Sequence, residues 1–441
     1  MKRIVTFLLA AVFVFSLAAC SSNDNGSTAS SGASGAAGSS SAAEESSAAG
    51  QSTGSGDDII INLYAHSDNQ SAAEAQAAAY NAKDNGVTIV THIIANDDYD
   101  DKLKVLAAGS SGELDVFWVR SPSQVKTFMN NGVLADLSAY ADETGLDLAP
   151  IEGPLTNVTD DSGAFYGMPW TSSCWMLFYN KELFDAKGLD YPVNLIWEEY
   201  CDLAKELTYE EDGTKYWGGI VPNWTLNLGA TSAGEYLTAD EPMERSKEYS
   251  SYLYRMYVED KSNPGIAEMS AGTFDINSYF GKGNVYMMVN GDWEFNLLET
   301  DFEYGAAPMP VLNGVEEGST VGQASYFCVS KDSKHPQEAY EFIEFMTATP
   351  EGTTIIVEET KNVPCYTTDE AMAVFEELVQ VEGVEYRFSA KINDEQGTEP
   401  YYESLNEVYR QEIELYLLEE QTLDEAFENF YSLREETIGN S

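Results

Sequence analysis

Residues 58–119 alternate apolar runs with helical segments, and this alternation constrains the fold of the chain more than any other feature. The runs "DIIINLYAH" (58–66) and "GVTIVTHII" (86–94) predict two buried strands, and a third strand is expected at Leu114–Val119. Strands that alternate with helices form a parallel sheet that is covered on both faces. The sequence therefore predicts an α/β fold.

The helices between these strands carry recognisable start signals. Ser71, with Glu74 three residues later, has the spacing of a capping box and predicts where the first helix begins. The acidic run "NDDYDD" (96–101) predicts the start of the second helix. Adjacent acids in this run suggest glycosidase carboxylates or calcium ligands, but the run lacks a calcium-loop spacing and is more simply interpreted as a helix cap.

Polar residues follow the first and third predicted strands. His66, Ser67 and Asp68 follow the first, and Arg120 and Ser121 follow the third. In open α/β sheets, ligands bind beyond the carboxyl ends of the strands. We therefore expect these side chains at one rim of the sheet, with a solvated rim or local salt bridges as the alternative.

The N-terminal residues have the layout of an export signal. Lys2 and Arg3 precede an apolar run, Ile4–Leu17, which at about 14 residues is shorter than the ~20 needed to span a bilayer. The run ends in "LAAC", which resembles a bacterial lipobox, and this predicts a signal peptide at 1–19 and a lipid on Cys20. An ordinary signal peptide with a chance cysteine is the alternative.

Residues 21–56 consist mainly of Ser, Gly and Ala and contain no aromatic side chain. Such a segment cannot bury enough apolar surface to offset the entropy lost on ordering. We expect residues 20–57 to form a lipidated, disordered tether with a reach of roughly 30–35 Å. The protein is therefore predicted to be extracytoplasmic and anchored in the cell envelope.

Charge and motif content exclude several classes of function. The net charge of −51 disfavours nucleic acid and anionic membrane surfaces as partners. The three histidines are far apart, and no nucleophile elbow or phosphate-binding loop occurs, so we expect no metal, no cofactor and no enzyme activity. Four cysteines besides Cys20 have no C-x-x-C spacing, and whether they pair is open: Cys174, Cys201, Cys328 and Cys365.

The globular part, about 385 of the 441 residues, exceeds one usual hydrophobic core, so two lobes are expected. Pro-containing extended segments at Met168-Pro169, 303–310 and 361–366 are candidate crossings between them. These crossings predict a first lobe of 58–168 plus 311–362 and a second lobe of 169–310 plus 363–441.

Six segments, in order, match one family. They are "DDYDDKLKVLAAGSSGELDVFWV", "NNGVLADLSAY", "YGMPW" with "LFYNKELFDAKGLDYP" and "WEEYCDLAKELT", "FGKGNVYMMVNGDWEF", "YGAAPMP" and "VGQASYFCVSKDSKHPQEAYEFIEFM". With these the chain resembles the family 1 extracellular solute-binding proteins of ABC transporters, whose members bind maltose and other oligosaccharides. The resemblance implies a two-lobed periplasmic-binding-protein-like (type II) fold that closes on its ligand, an ABC permease as membrane partner, and a monomer.

The resemblance also implies the residues of the site. The "NGDW" tryptophan, Trp293, is implied as a sugar-stacking plate, and the remaining candidates line the cleft between the lobes. They are Ser67, Asp68, Arg120, Ser121, Trp170, Ser172, Asn223, Trp224 and Gln323. The "PNW" segment at 222–224 departs from the acidic-aromatic pattern expected there, which weakens the assignment of Asn223 and Trp224.

Sugars present flat C–H faces and a fringe of hydroxyl groups, so a binding site needs aromatic plates and planar polar groups. A core position is the alternative for Trp293, Trp170 and Trp224. Four other tryptophans lie within strand or helix patterns and are expected in the core: Trp118, Trp175, Trp197 and Trp217. A non-sugar solute, a secreted glycoside-degrading enzyme and a surface adhesion protein are the alternative functions.

Overall fold

A computed structural model of the chain describes residues 59–109, 112–271 and 274–439. The expected signal peptide, the lipidation site Cys20 and the tether lie outside these residues. The strands are β1 Ile59–His66, β2 Val87–Ile94, β3 Val116–Val119, β4 Met168–Ser172, β5 Trp175–Asn180, β6 Tyr209–Glu211, β7 Thr214–Ile220, β8 Val285–Gly291, β9 Tyr304–Pro308, β10 Ser319–Gly322, β11 Ala324–Val329, β12 Val363–Pro364 and β13 Lys391–Asp394.

Helices connect and cover the strands. They are α1 Gln70–Asn81, α2 Asn96–Ala108, α3 Pro122–Asn130, α4 Ser138–Thr144, α5 Glu152–Thr156, α6 Lys181–Lys187, α7 Trp197–Glu206, α8 Leu228–Ser232, α9 Glu244–Tyr254, α10 Ile266–Met269, α11 Ile276–Gly281, α12 Glu294–Leu297, α13 Pro336–Ala348, α14 Pro350–Thr360, α15 Asp369–Leu378, α16 Tyr386–Ser389, α17 Tyr402–Leu417 and α18 Leu423–Gly439. Among the described residues, no helix is long and apolar enough to cross a membrane.

The first sheet has six strands in the order β12-β4-β11-β3-β1-β2. Strand β1 pairs in parallel with β2 and β3, which confirms the predicted parallel arrangement of these three strands. Strand β11 is antiparallel to both β3 and β4, and β12 is antiparallel to β4. Strands β4, β11 and β12 come from later parts of the chain than β1, β2 and β3. Each runs antiparallel to the strands with which it pairs, so the sheet is mixed.

The second sheet has five strands in the order β6-β7-β8-β5-β9. Strand β5 lies antiparallel between β8 and β9, and all its residues from Trp175 to Asn180 are buried. Strand β8 is buried along its whole length and also pairs in parallel with β7. Strands buried on both faces have no polar face, which accounts for the apolar run "VYMMV" before Asn290.

The six-stranded and five-stranded sheets lie in separate hydrophobic cores, except that Val363 of β12 packs in the second core, and these two cores define the lobes used below. The first core contains buried residues between Ile61 and Trp170 and between Ala324 and Ile356. The second contains buried residues between Cys174 and Val321 and from Val357 onward, including those of the C-terminal helices. The fold is thus the expected two-lobed α/β architecture.

The chain passes from the first sheet to the second between Ser172, the last residue of β4, and Trp175, the first residue of β5. Met168 and Pro169, where the sequence suggested a crossing, lie inside β4 and pair with β11. Pro169 is accommodated there although it has no N–H group to donate to a neighbouring strand.

The predicted capping box at the start of α1 is wrong. A short 3-10 turn, Ser67–Asn69, continues directly into α1, so the helix begins at Gln70 and Ser71 is already its second residue. The Ser71 hydroxyl instead donates to the carbonyl oxygen of Glu359 at 3.3 Å, and the Glu74 carboxylate accepts a hydrogen bond from the Gln70 side chain.

The four tryptophans expected in the core are packed as predicted, with one difference of degree. Trp118, Trp175 and Trp197 are at most 5% exposed. Trp217 is half-buried and packs against the edge of the second core. Three of these indoles are therefore fully part of a core.

Candidate functional site

The candidate residues of the first lobe lie at one edge of its sheet. Because β1 and β3 run in parallel, their carboxyl ends bring Ser67 and Asp68 to the same edge of the first sheet as Arg120. Ser67 and Asp68 are exposed, and Arg120 is half-buried. Three of the predicted polar residues thus share one rim of the first lobe.

Asn96, the first residue of α2, connects these three side chains. Its backbone N–H donates to the Ser67 hydroxyl at 3.1 Å, and its side-chain amide donates to Asp68 Oδ2 at 2.8 Å. The Arg120 guanidinium donates to Asn96 Oδ1 at 3.1 Å. Asn96 was not predicted as a site residue, although its position two residues after the second strand was a signal for a rim residue.

His66, at the end of β1, is buried and contacts the turn that carries this rim. Its ring is buried, lies 4.2 Å from the Trp118 ring between centroids, and accepts a hydrogen bond at Nδ1 from the Asp68 backbone N–H. Burial lowers the pKa of His66 to about 3, with a further contribution from the Arg120 charge. The imidazole is therefore neutral and fixes the turn that carries Ser67 and Asp68.

Ser121 is 1% exposed and caps the N-terminus of α3. Its hydroxyl accepts a hydrogen bond from the Gln124 N–H at 3.3 Å and lies 3.4 Å from Glu403 Oε1 at the start of α17. Burial raises the pKa of Glu403. In this structure the Ser121 hydroxyl is therefore occupied by groups of the protein itself.

Glu403 belongs to residues 394–403, a segment through which the second lobe contacts the first. Asp394 and Asn157 contact each other through their side chains at 3.4 Å, and Gln396 Oε1 accepts a hydrogen bond from Ser123 at 3.3 Å. The carbonyl oxygen of Pro400 accepts a hydrogen bond from the Thr127 hydroxyl at 3.0 Å. The sequence analysis did not assign this segment to the site.

Two cavities lie beside the contacts between the lobes, a region called the junction below. Glu403 helps to line a cavity of about 450 Å³ whose other walls come from the first lobe, including Leu103, Gln124 and Phe128. A second cavity of about 220 Å³ adjoins Trp175 and is also lined by Cys174, Thr320 and Tyr386. The junction thus contains open volume as well as direct contacts between the lobes.

Trp293 stands at the carboxyl end of β8 on the second-lobe side of the junction. Its ring is half-buried and meets the Trp175 ring edge to face, with centroids 5.4 Å apart and an interplanar angle of 83°. The ring also covers Gly291 so closely that a Cβ atom on Gly291 would lie 2.0 Å from Trp293 Cζ3. Trp293 is therefore a large aromatic surface that is held in place but remains partly open.

Trp175, which packs against the Trp293 ring, lies in the second core. It is 1% exposed, and its indole N–H donates to Glu395 Oε2 at 2.9 Å. Burial raises the pKa of Glu395 to about 7, against the effect of that hydrogen bond. Glu395 thus adds to Asp394 and Glu403 a further carboxyl group that was not predicted from the sequence.

Ser172 is bound to the second lobe through Arg387. The Arg387 Nη2 atom donates to the Ser172 hydroxyl at 2.8 Å and to the Ser172 carbonyl oxygen at 3.0 Å. Arg387 also forms a buried ion pair with Asp292, the residue before Trp293. Sequence reasoning did not identify Arg387, since it lies far from both partners along the chain.

The remaining candidates have different surroundings. Trp170 is 1% exposed and packs edge-on against Phe327 in the first core. Gln323 exchanges hydrogen bonds with Ser173 through its backbone, and its side-chain oxygen is buried with no hydrogen-bond partner among the described residues.

The structure records other surroundings for Asn223 and Trp224. The Asn223 amide donates to the Ser270 hydroxyl at 3.1 Å, and the Trp224 side chain is 41% exposed. The structure thus brings together Ser67, Asp68 and Arg120 in one group and Ser172 and Trp293 in another, and it records no direct contact between Asn223 or Trp224 and either group.

Within residues 59–109, 112–271 and 274–439, no group of three or more His, Cys, Asp or Glu side chains is placed to hold a metal ion. The cysteines at 174, 201, 328 and 365 are all free. Burial raises the pKa of Cys174 and of Cys201 to about 12, so these thiols stay protonated.

Comparisons with proteins of known structure agree with this architecture. The fold matches an ABC substrate-binding protein from Listeria monocytogenes in complex with cycloalternan, with a TM-score of 0.77, 22% identity and coverage of 87% of this chain and 100% of that one. It also matches the GacH receptor of Streptomyces glaucescens, with a TM-score of 0.72, 21% identity and coverage of 86% and 98%. The likeness to these two-lobed proteins extends over the whole of their length.

Comparisons of sequence lead to the same group of proteins. The galactooligosaccharide-binding protein of Bacillus subtilis is 26% identical over 261 residues, which is 55% of this chain and 58% of that protein. The chain therefore matches a little over half the length of such curated relatives. The family model for bacterial extracellular solute-binding proteins matches residues 65–353. Because this match spans well over half of the sequence, the chain belongs to the bacterial extracellular solute-binding protein family.

Proposed function

We propose that this protein captures a carbohydrate, most simply an oligosaccharide, between its two lobes and delivers it to the membrane subunits of an ABC transporter. It acts as a monomer, outside the cytoplasm, and is held at the membrane by a lipid on Cys20. The observation that carries the proposal is Trp293, a half-buried indole fixed by Trp175 at the junction of the lobes.

The size of this surface is adequate for sugar binding. Each 100 Å² of apolar surface that a ligand and the exposed part of Trp293 bury together contributes about 2.5 kcal/mol at ~25 cal/mol/Å². Micromolar affinity corresponds to about −8 kcal/mol, so one or two aromatic plates and a few hydrogen bonds are enough. The Asn96 network supplies such hydrogen-bonding groups, because Ser67, Asp68 and Arg120 are not fully buried.

The names of similar proteins support a carbohydrate as ligand. The relative from Bacillus subtilis is named for galactooligosaccharide binding, and the structure from Listeria monocytogenes contains cycloalternan. Closure of the lobes accounts for the contacts made by residues 394–403 with α3 in this structure. In the proposal, these contacts separate when the lobes open and the carbohydrate enters at the same place.

A thermal-shift screen of the purified full chain against mono- and oligosaccharides tests the proposal. A ligand present at 100 times its Kd stabilises the folded state by about 2.7 kcal/mol, which is a measurable rise in melting temperature. The sugar that gives this rise should bind without being cleaved. Failure of every carbohydrate to stabilise the protein, or release of cleavage products, would contradict the proposal.

Delivery to a permease is tested in cells. A strain that lacks the protein should lose uptake of the sugar found in the screen, and the intact gene should restore it. Uptake that is unchanged in the deletion strain would argue against a role in import.

A further inference from the structure

The carboxylate of Asp292 is directed into the protein and paired with Arg387. The Arg387 Nε atom lies 3.0 Å from Asp292 Oδ2, and the two side chains are 7% and 4% exposed. A charged carboxylate at this depth is costly without a partner, so the pair is a fixed contact. Asp292 is therefore held internally, while the next residue, Trp293, remains partly open.

The same guanidinium reaches the first sheet. Its Nη2 atom donates to both the hydroxyl and the carbonyl oxygen of Ser172, the last residue of β4. The Asp292 backbone N–H donates in turn to the carbonyl oxygen of Cys174, two residues further along the crossing. One side chain thus joins the end of a first-lobe strand to the turn that carries Trp293.

We propose that Arg387 is a positioning residue that fixes the Trp293 ring relative to the crossing between the lobes, so that ring and crossing move together when the lobes close. This inference rests on the proposed function, because it gives Trp293 the role of ligand plate. Arg387 sits on α16, and its contacts are to Asp292, Ser172 and the Phe388 ring.

The fork of donors on an arginine explains the choice of residue. A guanidinium presents several N–H groups in a rigid plane. Arg387 uses Nε for Asp292 and Nη2 for Ser172. A lysine ammonium is a single point that keeps the charge but cannot bridge both partners in this geometry. Arg387→Lys therefore separates the positioning role from the need to neutralise Asp292.

The test compares variants of the full chain in two measurements. The first is the Kd for the oligosaccharide that wild-type protein binds. The second, made without ligand, is the indole N–H resonance of Trp293 in protein labelled with 15N-tryptophan, assigned with Trp293→Phe.

Arg387→Lys should weaken oligosaccharide binding at least tenfold and shift the Trp293 resonance. Ser172→Ala, which removes only the hydroxyl contact, should move both measurements in the same direction by less. Arg434→Lys is a matched control, because Arg434 also binds backbone carbonyls and an acid, Glu241, but belongs to α18. It should leave both measurements unchanged.

A double variant, Arg387→Met with Asp292→Leu, covers the case in which Arg387→Lys fails to fold. It removes both charges, and replacement of a buried ion pair by apolar residues often preserves stability. We expect it to fold and to bind the oligosaccharide at least tenfold more weakly. An unchanged Kd and an unchanged Trp293 resonance in the folded variants would overturn the inference. If wild-type protein binds no carbohydrate, the proposed function fails, and the resonance in the free protein still decides whether Arg387 positions Trp293.

Discussion

Trp175 meets Trp293 edge to face at 5.4 Å, and the two rings differ sharply in exposure. Trp175 is 1% exposed and lies in the second core, whereas Trp293 is half-buried at the junction. Aromatic pairs in this arrangement contribute about 0.5–1.5 kcal/mol beyond the area they bury. The inner ring therefore serves stability, and the outer ring is available to a ligand.

This difference predicts opposite effects of two substitutions. Trp293→Ala should abolish oligosaccharide binding and lower the melting temperature of the free protein less than Trp175→Ala does, because the Trp293 ring is less buried. Trp175→Ala should destabilise the protein by about 3–5 kcal/mol, as expected for a large buried aromatic side chain. Calorimetry of free protein and titration with the sugar check both. A large loss of stability in Trp293→Ala would mean that Trp293 is a core residue.

Gly291 offers a more conservative test of the same plate. An added methyl group would lie 2.0 Å from Trp293 Cζ3, which is too close for any real contact, so the indole must move. We expect Gly291→Ala to weaken oligosaccharide binding at least tenfold, measured by titration. Gly153→Ala is the control, because a Cβ atom there would meet nothing within 4 Å. Equal binding by both variants would show that the orientation of Trp293 is unimportant.

Local patterns in the sequence predicted the parts of the fold that depend on neighbouring residues. The alternation over residues 58–119 predicted β1, β2 and β3 and their parallel pairing, because apolar periodicity reports directly on buried strands. The antiparallel entry of β11 between β3 and β4 could not be predicted in this way. It depends on which distant strand completes the sheet, and no local pattern encodes that choice.

The candidate site shows the same limit more clearly. Arg387 is 95 residues from Asp292, and Glu403 is 282 residues from Ser121 along the chain. Neither residue has a neighbour in sequence that indicates its partner. Asn96 could have been predicted from the sequence, because it lies two residues after β2 and the carboxyl ends of parallel strands share one rim.

The lipid anchor is predicted from the sequence alone. Cys20→Ala removes the only atom to which the lipid can be attached in the lipobox-like "LAAC" segment. We expect the variant protein to be released from the cell envelope into the soluble extracytoplasmic fraction, as measured by immunoblotting of fractions. Cys365→Ala serves as a control, since it removes a cysteine from the globular part and should leave the protein with the envelope. Retention of Cys20→Ala would contradict the anchor.

Glu294 predicts how stability depends on pH. Its side chain is 1% exposed, and burial raises its pKa to about 8, so the folded protein keeps this carboxyl protonated at neutral pH. The unfolded chain releases this proton near its ordinary pKa of about 4.3. The stabilisation is therefore complete below pH ~4 and is lost as the pH rises toward 8, at roughly 1.4 kcal/mol per pH unit for one proton.

We expect the melting temperature to fall between pH 5 and pH 9, and Glu294→Gln to reduce this slope because an amide does not titrate. Glu395, with a pKa raised to about 7 by burial, contributes in the same direction, so Glu395→Gln should reduce the slope over a narrower range. Glu425→Gln is the control, because hydrogen bonding with Thr422 lowers the pKa of that exposed carboxyl, the opposite direction to Glu294. A slope that is identical in wild type and Glu294→Gln would show that Glu294 is ionised in the folded protein, where the Asn290 amide donates to its Oε1 atom at 2.7 Å.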